Sequence, residues 1–403
     1  MKVLMINVVC GIKSTGRICT DIATLLCKQG HDVKIAYGRE QVPEQFQSIS
    51  HRIGSDFDVN IHGLKARFMD NSGFGSKRVT ERFVRWIEEY DPDVIHLHNL
   101  HGYYINVKVL FDYLRKSKKK VIWTLHDCWP FTGHCCYFDY IGCDKWGKGC
   151  HTCPLKHEYP KSIWWDRSKA NYEKKNKLFS ALNDMTVVTP SHWLADLVKE
   201  SFLKDCRVKV IHNGIDVNVF SSNLAEKGNV HIPEGKKVVL GVAAIWNKRK
   251  GIDDFLKLSE MLDESYQIVL VGLSETQIQA LPSNIIGIRR TNDVQELAAL
   301  YSRASVYVNS TYEDNYPTTN LEAIACGTPV ISYETGGSSE SAKLFGDVVK
   351  KGDVDALFRA IVKYANGTKN TDLDIGMLSL KTMTSQYLQL YEEGMEGKYD
   401  KKD

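Results

Sequence analysis

Short apolar runs alternate with amphipathic stretches throughout the first half of the chain. Between the runs, apolar residues such as Ile18, Ile22 and Leu26 recur at the three- and four-residue spacing of a helix, which Gly30 ends. Strands that alternate with helices predict a parallel sheet with right-handed crossovers. The predicted strands of this half lie in the sequences KVLMINVV, VKIAY, DVIHLH, KVIWTLH, MTVVTP and VKVIHN.

A second series of the same kind follows a polar stretch that contains Gly228, Pro233 and Gly235. Its predicted strands lie in KVVLGVAAIW, YQIVLVG, NIIGIRR, ASVYVNS and TPVIS. Two such series joined by a linker predict an α/β protein with two Rossmann-like, doubly wound domains, which bind ligands beyond the carboxyl ends of their strands. The predicted boundaries are residues 1–213 for the N-terminal domain, 214–236 for the linker, 237–375 for the C-terminal domain and 376–403 for a final helix and tail.

The chain has 403 residues, too many for one ordinary hydrophobic core, which agrees with two domains. Its formal net charge of only +3 does not indicate bulk binding of a polyanion, so we expect no nucleic-acid partner. No apolar run approaches the roughly 18 residues of a membrane span. The N-terminal MKVLMINVV lacks a small-residue cleavage site and is interpreted as a first strand rather than a signal peptide. We therefore expect a cytoplasmic protein.

The richest stretch for chemistry is TYEDNYPTTNLEAIACGTPVIS, which runs from Thr311 to Ser332. Seven residues separate two carboxylates, Asp314 and Glu322, so a helix would place them about two turns apart, able to address different hydroxyl groups of one ligand. The loop before the predicted helix exposes backbone N–H groups where anions bind well. An anion cradle beside two acceptors of hydroxyl hydrogen bonds suits a sugar nucleotide.

This stretch resembles the signature of the retaining glycosyltransferases of family 4, in which seven residues separate a first carboxylate from a Glu. The resemblance implies the GT-B fold, with two Rossmann-like domains facing a cleft and a final helix that crosses back to the N-terminal domain. It implies that Asp314 binds hydroxyl groups of the transferred sugar and that Glu322 binds the nucleotide ribose. Glu313, one residue out of register, is an alternative first carboxylate.

The same resemblance assigns roles in donor binding to residues of the C-terminal domain. Lys250 and Gly251 match the family's Lys-Gly pair, whose Lys holds the donor diphosphate, and Arg249 supplies a second cation. An ammonium paired with a forked guanidinium suits a diphosphate leaving group. Thr318 and Thr319 at the start of the predicted helix complete the donor-binding set. The alternative is a solvated basic turn, the common fate of charge runs.

Three histidines follow predicted strands in the N-terminal domain. His126 begins HDCWPFTGH and matches a family position whose His contacts the donor sugar, so we count it among the catalytic residues with Asp314 and Glu322. His98 and His101 are candidates for the acceptor side, and a purely structural role for them is equally open. A satisfied core histidine is the alternative for each.

The turn GIKSTGRI lies between the first strand and the first helix. Alone it is a weak motif and it is not a dinucleotide fingerprint. In the family's fold this loop faces the cleft and approaches the donor phosphates or the acceptor. Gly16 would let the backbone come close, and Arg17 would pair with a phosphate. The alternative is a plain turn with Ser14 or Thr15 as the N-cap of the helix.

Six of the eleven cysteines lie between Cys128 and Cys153, within a predicted insert that spans residues 128–160. A disulfide framework is not expected in the cytoplasm. Four of these residues form a reasonable tetrahedral set for a structural zinc ion, namely Cys135, Cys143, Cys150 and Cys153. Reduced buried cysteines or a redox pair are the alternatives. Inserts of this kind occur in family 4 enzymes of surface-polysaccharide gene clusters.

We expect no metal in catalysis itself, because the DxD triplets at Asp56, Asp353 and Asp372 do not follow predicted strands beside other site residues. They are interpreted as helix caps and surface residues. The basic run RKSKKK, residues 115–120, is either a solvated surface or a contact with anionic lipid. The second reading would suit a peripheral position on the inner face of the cell membrane.

The sequence therefore predicts a hexosyltransferase that moves a hexose from a nucleotide sugar to an undecaprenyl-diphosphate-linked oligosaccharide in O-antigen, capsule or exopolysaccharide synthesis. A UDP-hexose is the favoured donor, and GDP-mannose stays open. One alternative is a sugar-nucleotide epimerase of the same fold. Another is a zinc-dependent interaction module with a vestigial transferase site.

Overall fold

The computed structural model describes residues 1–182, 184–222, 232–367 and 374–393. The chain divides into two compact units, of which the first is Met1–His212 with Met383–Asp403 and the second is Asn213–Thr382. Parts of the predicted linker and tail, and the triplet at Asp372, lie outside the described residues. Within the described part, no helix is long and apolar enough to cross a membrane.

The first unit contains seven strands, and its last helix comes from the far end of the chain. Its strands are β1 (Lys2–Asn7), β2 (Asp32–Tyr37), β3 (Ser50–Arg52), β4 (Val94–Leu97), β5 (Lys120–Thr124), β6 (Thr186–Thr189) and β7 (Arg207–Val210). Its helices are α1 (Lys13–Lys28), α2 (Asp56–Met69), α3 (Lys77–Tyr90), α4 (Val107–Ser117), α5 (Lys145–Lys148), α6 (Ser168–Phe179), α7 (His192–Glu200) and α14 (Leu380–Glu392), which starts just before the unit boundary.

The second unit contains six strands in the same alternating pattern. Its strands are β8 (Lys237–Val242), β9 (Tyr266–Val271), β10 (Ile285–Ile288), β11 (Val306–Asn309), β12 (Val330–Tyr333) and β13 (Gly346–Val349). Its helices are α8 (Ile252–Met261), α9 (Glu275–Gln279), α10 (Val294–Arg303), α11 (Thr318–Ala325), α12 (Ser338–Ala342) and α13 (Val354–Ala365).

Both sheets are parallel and doubly wound, which confirms the predicted fold class. The strand order is β3-β2-β1-β4-β5-β6-β7 in the first unit and β10-β9-β8-β11-β12-β13 in the second. The order reverses between β1 and β4 and again between β8 and β11. Ligands of such sheets bind where the order reverses, beyond the carboxyl ends of the strands. These two places are therefore where each unit's functional side chains are expected.

Successive residues of the central strands pack against opposite faces of each sheet. In the second unit, Leu240 and Tyr307 belong to one core cluster, whereas Val239 and Val308 belong to another. Both faces are covered, so the strands are apolar throughout rather than alternating. This explains why continuous apolar runs, and not period-two patterns, marked the strands in the sequence.

Helix α14 supplies two buried tyrosines to the first sheet. The Tyr391 hydroxyl lies 2.7 Å from Nδ1 of His96, and the Tyr387 hydroxyl lies 3.0 Å from the hydroxyl of Thr124. Nε2 of His96 in turn lies 2.7 Å from the Thr124 hydroxyl. These contacts join a helix near residue 390 to the two strands, β4 and β5, that carry the predicted histidines.

The basic run at residues 115–120 is only partly a free surface. Lys119 pairs with Asp91, and the Lys120 ammonium donates to the carbonyl oxygens of Tyr391 and Glu393 on the last turn of α14 and just after it. Lys120 thus serves the fold, since a cation near a helix C-terminus satisfies carbonyl groups that lack partners. Any contact of this run with lipid would therefore be made by its earlier residues.

Candidate active site

The loop after β8 carries the predicted donor-binding cations. Asn247 precedes a 3₁₀ turn, Lys248–Lys250, and its side-chain oxygen accepts a hydrogen bond from the Lys250 amide at 3.1 Å. The turn then leads through Gly251 into α8. Lys250 therefore lies at the end of the strand beside the reversal of strand order, as a ligand-binding residue of this fold would.

Gly251 brings this loop against the residues that follow β11. Its φ of +74° is one that favours glycine, and a Cβ atom here would lie 2.1 Å from the carbonyl oxygen of Ser310. The Ser310 hydroxyl lies within hydrogen-bond distance of the carbonyl oxygens of Lys250 and Gly251, at 3.2 and 3.1 Å. The loops after β8 and β11 are thus fixed together at one edge of the second sheet.

Lys250 and Asp314 form an ion pair across these two loops, with side chains that are 21% and 19% exposed. Arg249 lies beside them, and its guanidinium donates to the carbonyl oxygen of Glu313 at 2.6 Å. Burial disfavours the charged Asp314 carboxyl, but the charges of Lys250 and Arg249 outweigh burial and hold its pKa below the ordinary value. Asp314 is consequently ionised at neutral pH. Glu313, the alternative carboxylate, is fully buried.

Glu322 lies on α11 and is nearly buried, with 9% of its surface exposed. One of its carboxylate oxygens accepts a hydrogen bond from the Tyr301 hydroxyl at 3.1 Å. Tyr301 lies on α10, and burial together with the charge of Glu322 raises its pKa well above the usual range, so it remains a donor. A buried phenol therefore fixes the orientation of the carboxylate.

Tyr307 on β11 lies within electrostatic reach of both carboxylates. Burial raises its pKa, a hydrogen bond with Thr319 lowers it, and the charges of Glu322 and Asp314 raise it further. The charges of both signature carboxylates, Asp314 and Glu322, therefore act on the Tyr307 phenol. The structure places both carboxylates and both cations at the carboxyl edge of the second sheet, near β8 and β11.

Helix α11 begins directly after Pro317 without a side-chain cap. Thr318 and Thr319 form its first turn and are half-buried. Amides in the first turn lack acceptors within their own helix, and the helix dipole favours an anion there. This end of α11 therefore has backbone N–H groups that suit a phosphate group, and donor binding by Thr318 and Thr319 stays a prediction.

A buried polar network supports this region and was not predicted. Asn309 at the end of β11 donates to the side-chain oxygen of Asn320 at 2.8 Å. The Asn320 amide donates in turn to the carbonyl oxygen of Ser338 at 3.1 Å and to the Ser341 hydroxyl at 2.9 Å. The network holds α11 against β11 and α12. Its one signal in the sequence is Asn309, a polar residue that ends an apolar strand.

In the first unit, His98 and His126 follow the neighbouring strands β4 and β5. Nδ1 of His98 lies 3.0 Å from Nε2 of His126, so one ring donates to the other. Burial is the main cause that lowers the pKa of His126 to about 4, and it lowers that of His98 well below the usual range. Both rings are therefore neutral at pH 7, and they act as hydrogen-bonding groups rather than as cations.

His101 lies in a separate buried chain of polar groups. Its Nε2 is 2.7 Å from a carboxylate oxygen of Asp127, and its Nδ1 is 2.9 Å from the Tyr159 hydroxyl. Within the described residues, His101, Asp127 and Cys136 are the one set of three metal-ligand side chains whose ligand atoms lie within 4.8 Å of one another. The sequence did not predict Asp127 or Tyr159 as partners of His101.

The structure excludes the capping alternative for the turn before α1. The helix begins at Lys13 with Ile12 as N-cap and no side-chain cap, so neither Ser14 nor Thr15 caps it. Gly16 is buried inside the helix, where a Cβ atom would lie 3.0 Å from the Val9 side chain. The absence of a side chain at Gly16 therefore lets the start of α1 pack against Val9. Arg17 is exposed.

The four predicted zinc ligands line one small pocket in the insert. Cys135, Cys143, Cys150 and Cys153 share it with His134, which was not predicted to take part. All eleven cysteines lie in the described residues, and none of them forms a disulfide there.

Comparison with known proteins identifies the family. The profile of Glycosyltransferase Family 4 matches residues 15–219, and that of Glycosyl transferases group 1 matches residues 236–366. The putative colanic acid biosynthesis glycosyl transferase WcaC of Escherichia coli K12 is 27% identical over 354 residues, which cover 84% of this chain and 85% of WcaC.

Two solved structures extend the comparison to the fold. Sucrose-phosphate synthase from Thermosynechococcus elongatus has a TM-score of 0.70 at 17% identity, over 97% of this chain and 98% of its own. HepE from Anabaena, solved in complex with UDP-glucose, has a TM-score of 0.62 at 14% identity, over 98% and 100% of the two chains.

Two doubly wound parallel sheets, with cations and carboxylates at the strand ends of the second, define an enzyme of the GT-B class. The chain belongs to glycosyltransferase family 4, and its activity is that of a glycosyltransferase.

Two histidines of the first unit give stability a defined pH dependence. Burial lowers the pKa of His126 and of His62 to about 4, against about 6.5 in an unfolded chain. Between these values the unfolded state binds more protons, so the free energy of unfolding falls as the pH falls from about 6.5 to about 4. We expect urea unfolding at pH 5 to need less denaturant than at pH 7, and the His126→Asn variant to show a shallower dependence. An equal dependence in that variant would contradict the assignment for His126.

Proposed function

We propose that this protein is a retaining hexosyltransferase of bacterial surface-polysaccharide synthesis. It would move a hexose from a nucleotide sugar, with a UDP-hexose favoured, to an undecaprenyl-diphosphate-linked sugar acceptor. The observation that carries the proposal is the Lys250–Asp314 pair, with Arg249 beside it and the uncapped start of α11 nearby. The putative role of WcaC in colanic acid biosynthesis supports surface-polysaccharide synthesis, and the UDP-glucose bound to HepE supports a UDP-sugar donor.

Each group in the second unit has a role in this reaction. Lys250 and Arg249 neutralise the donor diphosphate, and the amides of Thr318 and Thr319 add dipolar donors. Asp314 accepts hydrogen bonds from hydroxyl groups of the sugar, and Glu322 accepts them from the ribose. Asp314 and Lys250 then hold each other in position before the donor binds, which reduces the reorganisation that binding requires.

The reaction breaks the bond between the anomeric carbon and the oxygen of the diphosphate. An acceptor hydroxyl forms its bond to the same carbon on the same face, and its proton passes to the departing phosphate oxygen. The products are the extended acceptor and a nucleoside diphosphate. Because negative charge grows on the leaving group, Lys250 and Arg249 stabilise the transition state more than the bound donor. No catalytic metal is required by this scheme.

His126, with His98 behind it, is proposed to hydrogen-bond the donor sugar as a neutral ring. His98 and His101 are the proposed acceptor-side residues, and Gly16 and Arg17 the proposed phosphate-side residues of the α1 turn. The exposed basic residues near position 115 would meet anionic lipid while the acceptor is presented, so we propose a cytoplasmic protein that is peripheral on the inner face of the membrane.

A donor screen tests the proposal. Purified protein is incubated with UDP-glucose, UDP-galactose, UDP-GlcNAc or GDP-mannose and with a short-chain lipid-diphosphate-GlcNAc or -GalNAc acceptor, and the product is followed by mass spectrometry. We expect one hexose to be added from a UDP-sugar, with NMR showing the donor's anomeric configuration retained. Conversion of a nucleotide sugar to its epimer without acceptor, or an inverted product, would contradict the proposal.

Arg249→Ala should weaken donor use less than loss of Lys250. The guanidinium already donates to the Glu313 carbonyl oxygen, so part of its bonding serves the loop and only part remains for phosphate. We expect kcat/KM for the donor to fall about tenfold, or about 1.4 kcal/mol. Steady-state kinetics over a range of donor concentrations measures this. A larger loss of kcat/KM in Arg249→Ala than in Lys250→Ala would contradict the assignment of Lys250 as the main diphosphate-binding cation.

A further inference from the structure

The pocket inside the insert has a feature that the cysteines alone do not explain. His134 lines it together with Cys135, Cys143, Cys150 and Cys153. The His134 side chain is fully buried, and its Nε2 is a buried nitrogen without a hydrogen-bond partner. Buried polar atoms of this kind require an explanation, since leaving one unpaired destabilises the fold.

The other nitrogen of His134 is held by a carboxylate. Nδ1 of His134 lies 2.6 Å from a carboxylate oxygen of Asp70, which is itself buried. The second Asp70 oxygen accepts from the Arg167 amide at 2.7 Å. A carboxylate that fixes one nitrogen of an imidazole, and leaves the other aimed into a cysteine-lined pocket, is the usual arrangement behind a metal-bound histidine.

We propose that this pocket binds one zinc ion through His134 Nε2 and the sulfurs of Cys143, Cys150 and Cys153. Three thiolates and one imidazole form one of the common tetrahedral zinc sets, and the short spacing from Cys150 to Cys153 is typical of such sites. This site is separate from the transferase chemistry and does not depend on the proposed function.

Cys135 is not one of the four proposed ligands, although the sequence predicted it as one. A hydrogen bond from the Cys135 thiol to the sulfur of Cys153 raises the pKa of Cys135 and lowers that of Cys153. We place Cys135 outside the ligand set, as a donor to a metal-bound sulfur. The Gly133 amide makes the same kind of contact to Cys150 at 3.2 Å. Hydrogen bonds to ligand sulfurs are part of the surroundings that tune such sites.

Charge near the pocket agrees with bound thiolates. The Lys175 side chain is buried, and its ammonium donates to the carbonyl oxygens of Trp129 and Thr132 at 2.8 and 3.1 Å. No carboxylate lies within 4.0 Å of it in the described residues. Burial lowers the pKa of Lys175 to about 7. One Zn²⁺ with three thiolates and a neutral imidazole carries a single negative charge, which would favour the charged form of this lysine.

The ligand atoms line the pocket loosely, since no three of them lie within 4.8 Å of one another in the described structure. Zinc would therefore draw the loop together, and its removal should loosen the insert. The insert also carries Tyr159, which contacts His101. Removing zinc would therefore affect activity only indirectly. Metal content and the order of the loop are direct measures of the site.

Metal analysis of the full chain, purified without chelator, tests the site first. We expect about one zinc per chain. His134→Asn, which can keep the hydrogen bond to Asp70 but has no Nε2, should bind zinc at least tenfold more weakly in competition with a chromophoric chelator. Cys135→Ser is the matched control and should bind as the wild type does. Cobalt in place of zinc should give the absorption of three sulfur ligands and one nitrogen ligand.

Two further variants keep the test decisive if His134→Asn misfolds. His134→Cys should retain metal and shift the cobalt spectrum to that of four sulfurs, since it replaces one ligand with another. Cys150→Ser with Cys153→Ser should lose zinc and make residues 128–160 sensitive to limited proteolysis. The proposal is overturned if the protein holds no zinc, if mass spectrometry finds these cysteines in a disulfide, or if Cys135→Ser loses zinc while His134→Asn keeps it.

Discussion

Glu322→Gln should lower turnover by about 10²-fold while the protein stays folded. The substitution removes the charge that accepts the ribose hydroxyl groups, and hydrogen bonds to charged groups contribute about 1.5–3 kcal/mol, or roughly one to two powers of ten. Glutamine keeps an oxygen that can accept from the Tyr301 hydroxyl, so the local packing should survive. The measurement is kcat at saturating donor, with the melting temperature recorded for the same preparation.

Glu296→Gln is the control for this prediction. Glu296 is equally buried, at 8% exposure, but it accepts hydrogen bonds from Asn292 at the start of α10 and lies outside the signature. We expect it to lower stability and leave turnover near that of the wild type. A near-normal rate for Glu322→Gln would contradict its assignment, as would equal losses of rate in the two variants.

Lys250→Ala should weaken donor binding and slow the chemical step together. The diphosphate is negatively charged both in the bound donor and in the transition state. Removing the Lys250 ammonium therefore weakens the stabilisation of both states. The variant also leaves Asp314 without its partner at a site where both side chains are four-fifths buried. We expect kcat/KM for the donor to fall by about 10²-fold, which corresponds to about 3 kcal/mol. UDP affinity, measured by calorimetry, should fall in parallel.

Lys248→Ala provides the matched control, because Lys248 belongs to the same 3₁₀ turn and its side chain is exposed. Its removal changes the net charge by the same amount and should leave both UDP affinity and turnover nearly unchanged. If Lys250→Ala binds UDP as the wild type does, or if Lys248→Ala is equally impaired, the cation at position 250 does not hold the diphosphate.

The sheets could be predicted from the sequence because parallel strands covered on both faces need continuous apolar runs. β1 and β8 are such strands, and their continuous apolar runs were sufficient to predict them. β3 and β13 were missed because each lies at the edge of its sheet, where burial is partial and the pattern weak. The capping alternative for the first turn of α1 was wrong, because the helix starts at Lys13, before Ser14 and Thr15.

The site was predictable to the extent that its residues are close in sequence. Arg249 and Lys250 are adjacent, and seven residues separate Asp314, in the loop before α11, from Glu322 on α11. The Lys250–Asp314 pair joins residues 64 positions apart, and the His134–Asp70 pair joins residues of the same separation. Such pairs depend on how the loops meet at the sheet edge. No local pattern of residue types contains that information.

The position of α14 in the chain also bears on the order in which the protein is made. The last strand of the first sheet, β7, ends at Val210, and 176 residues separate it from Tyr387. At roughly 5–20 residues per second, a ribosome needs about 9–35 s for that distance. During this interval the first sheet lacks the phenols that bond to His96 and Thr124. The N-terminal half therefore leaves the ribosome before it can complete its own core, and a fragment that ends at residue 212 should remain dependent on chaperones until the missing helix is supplied.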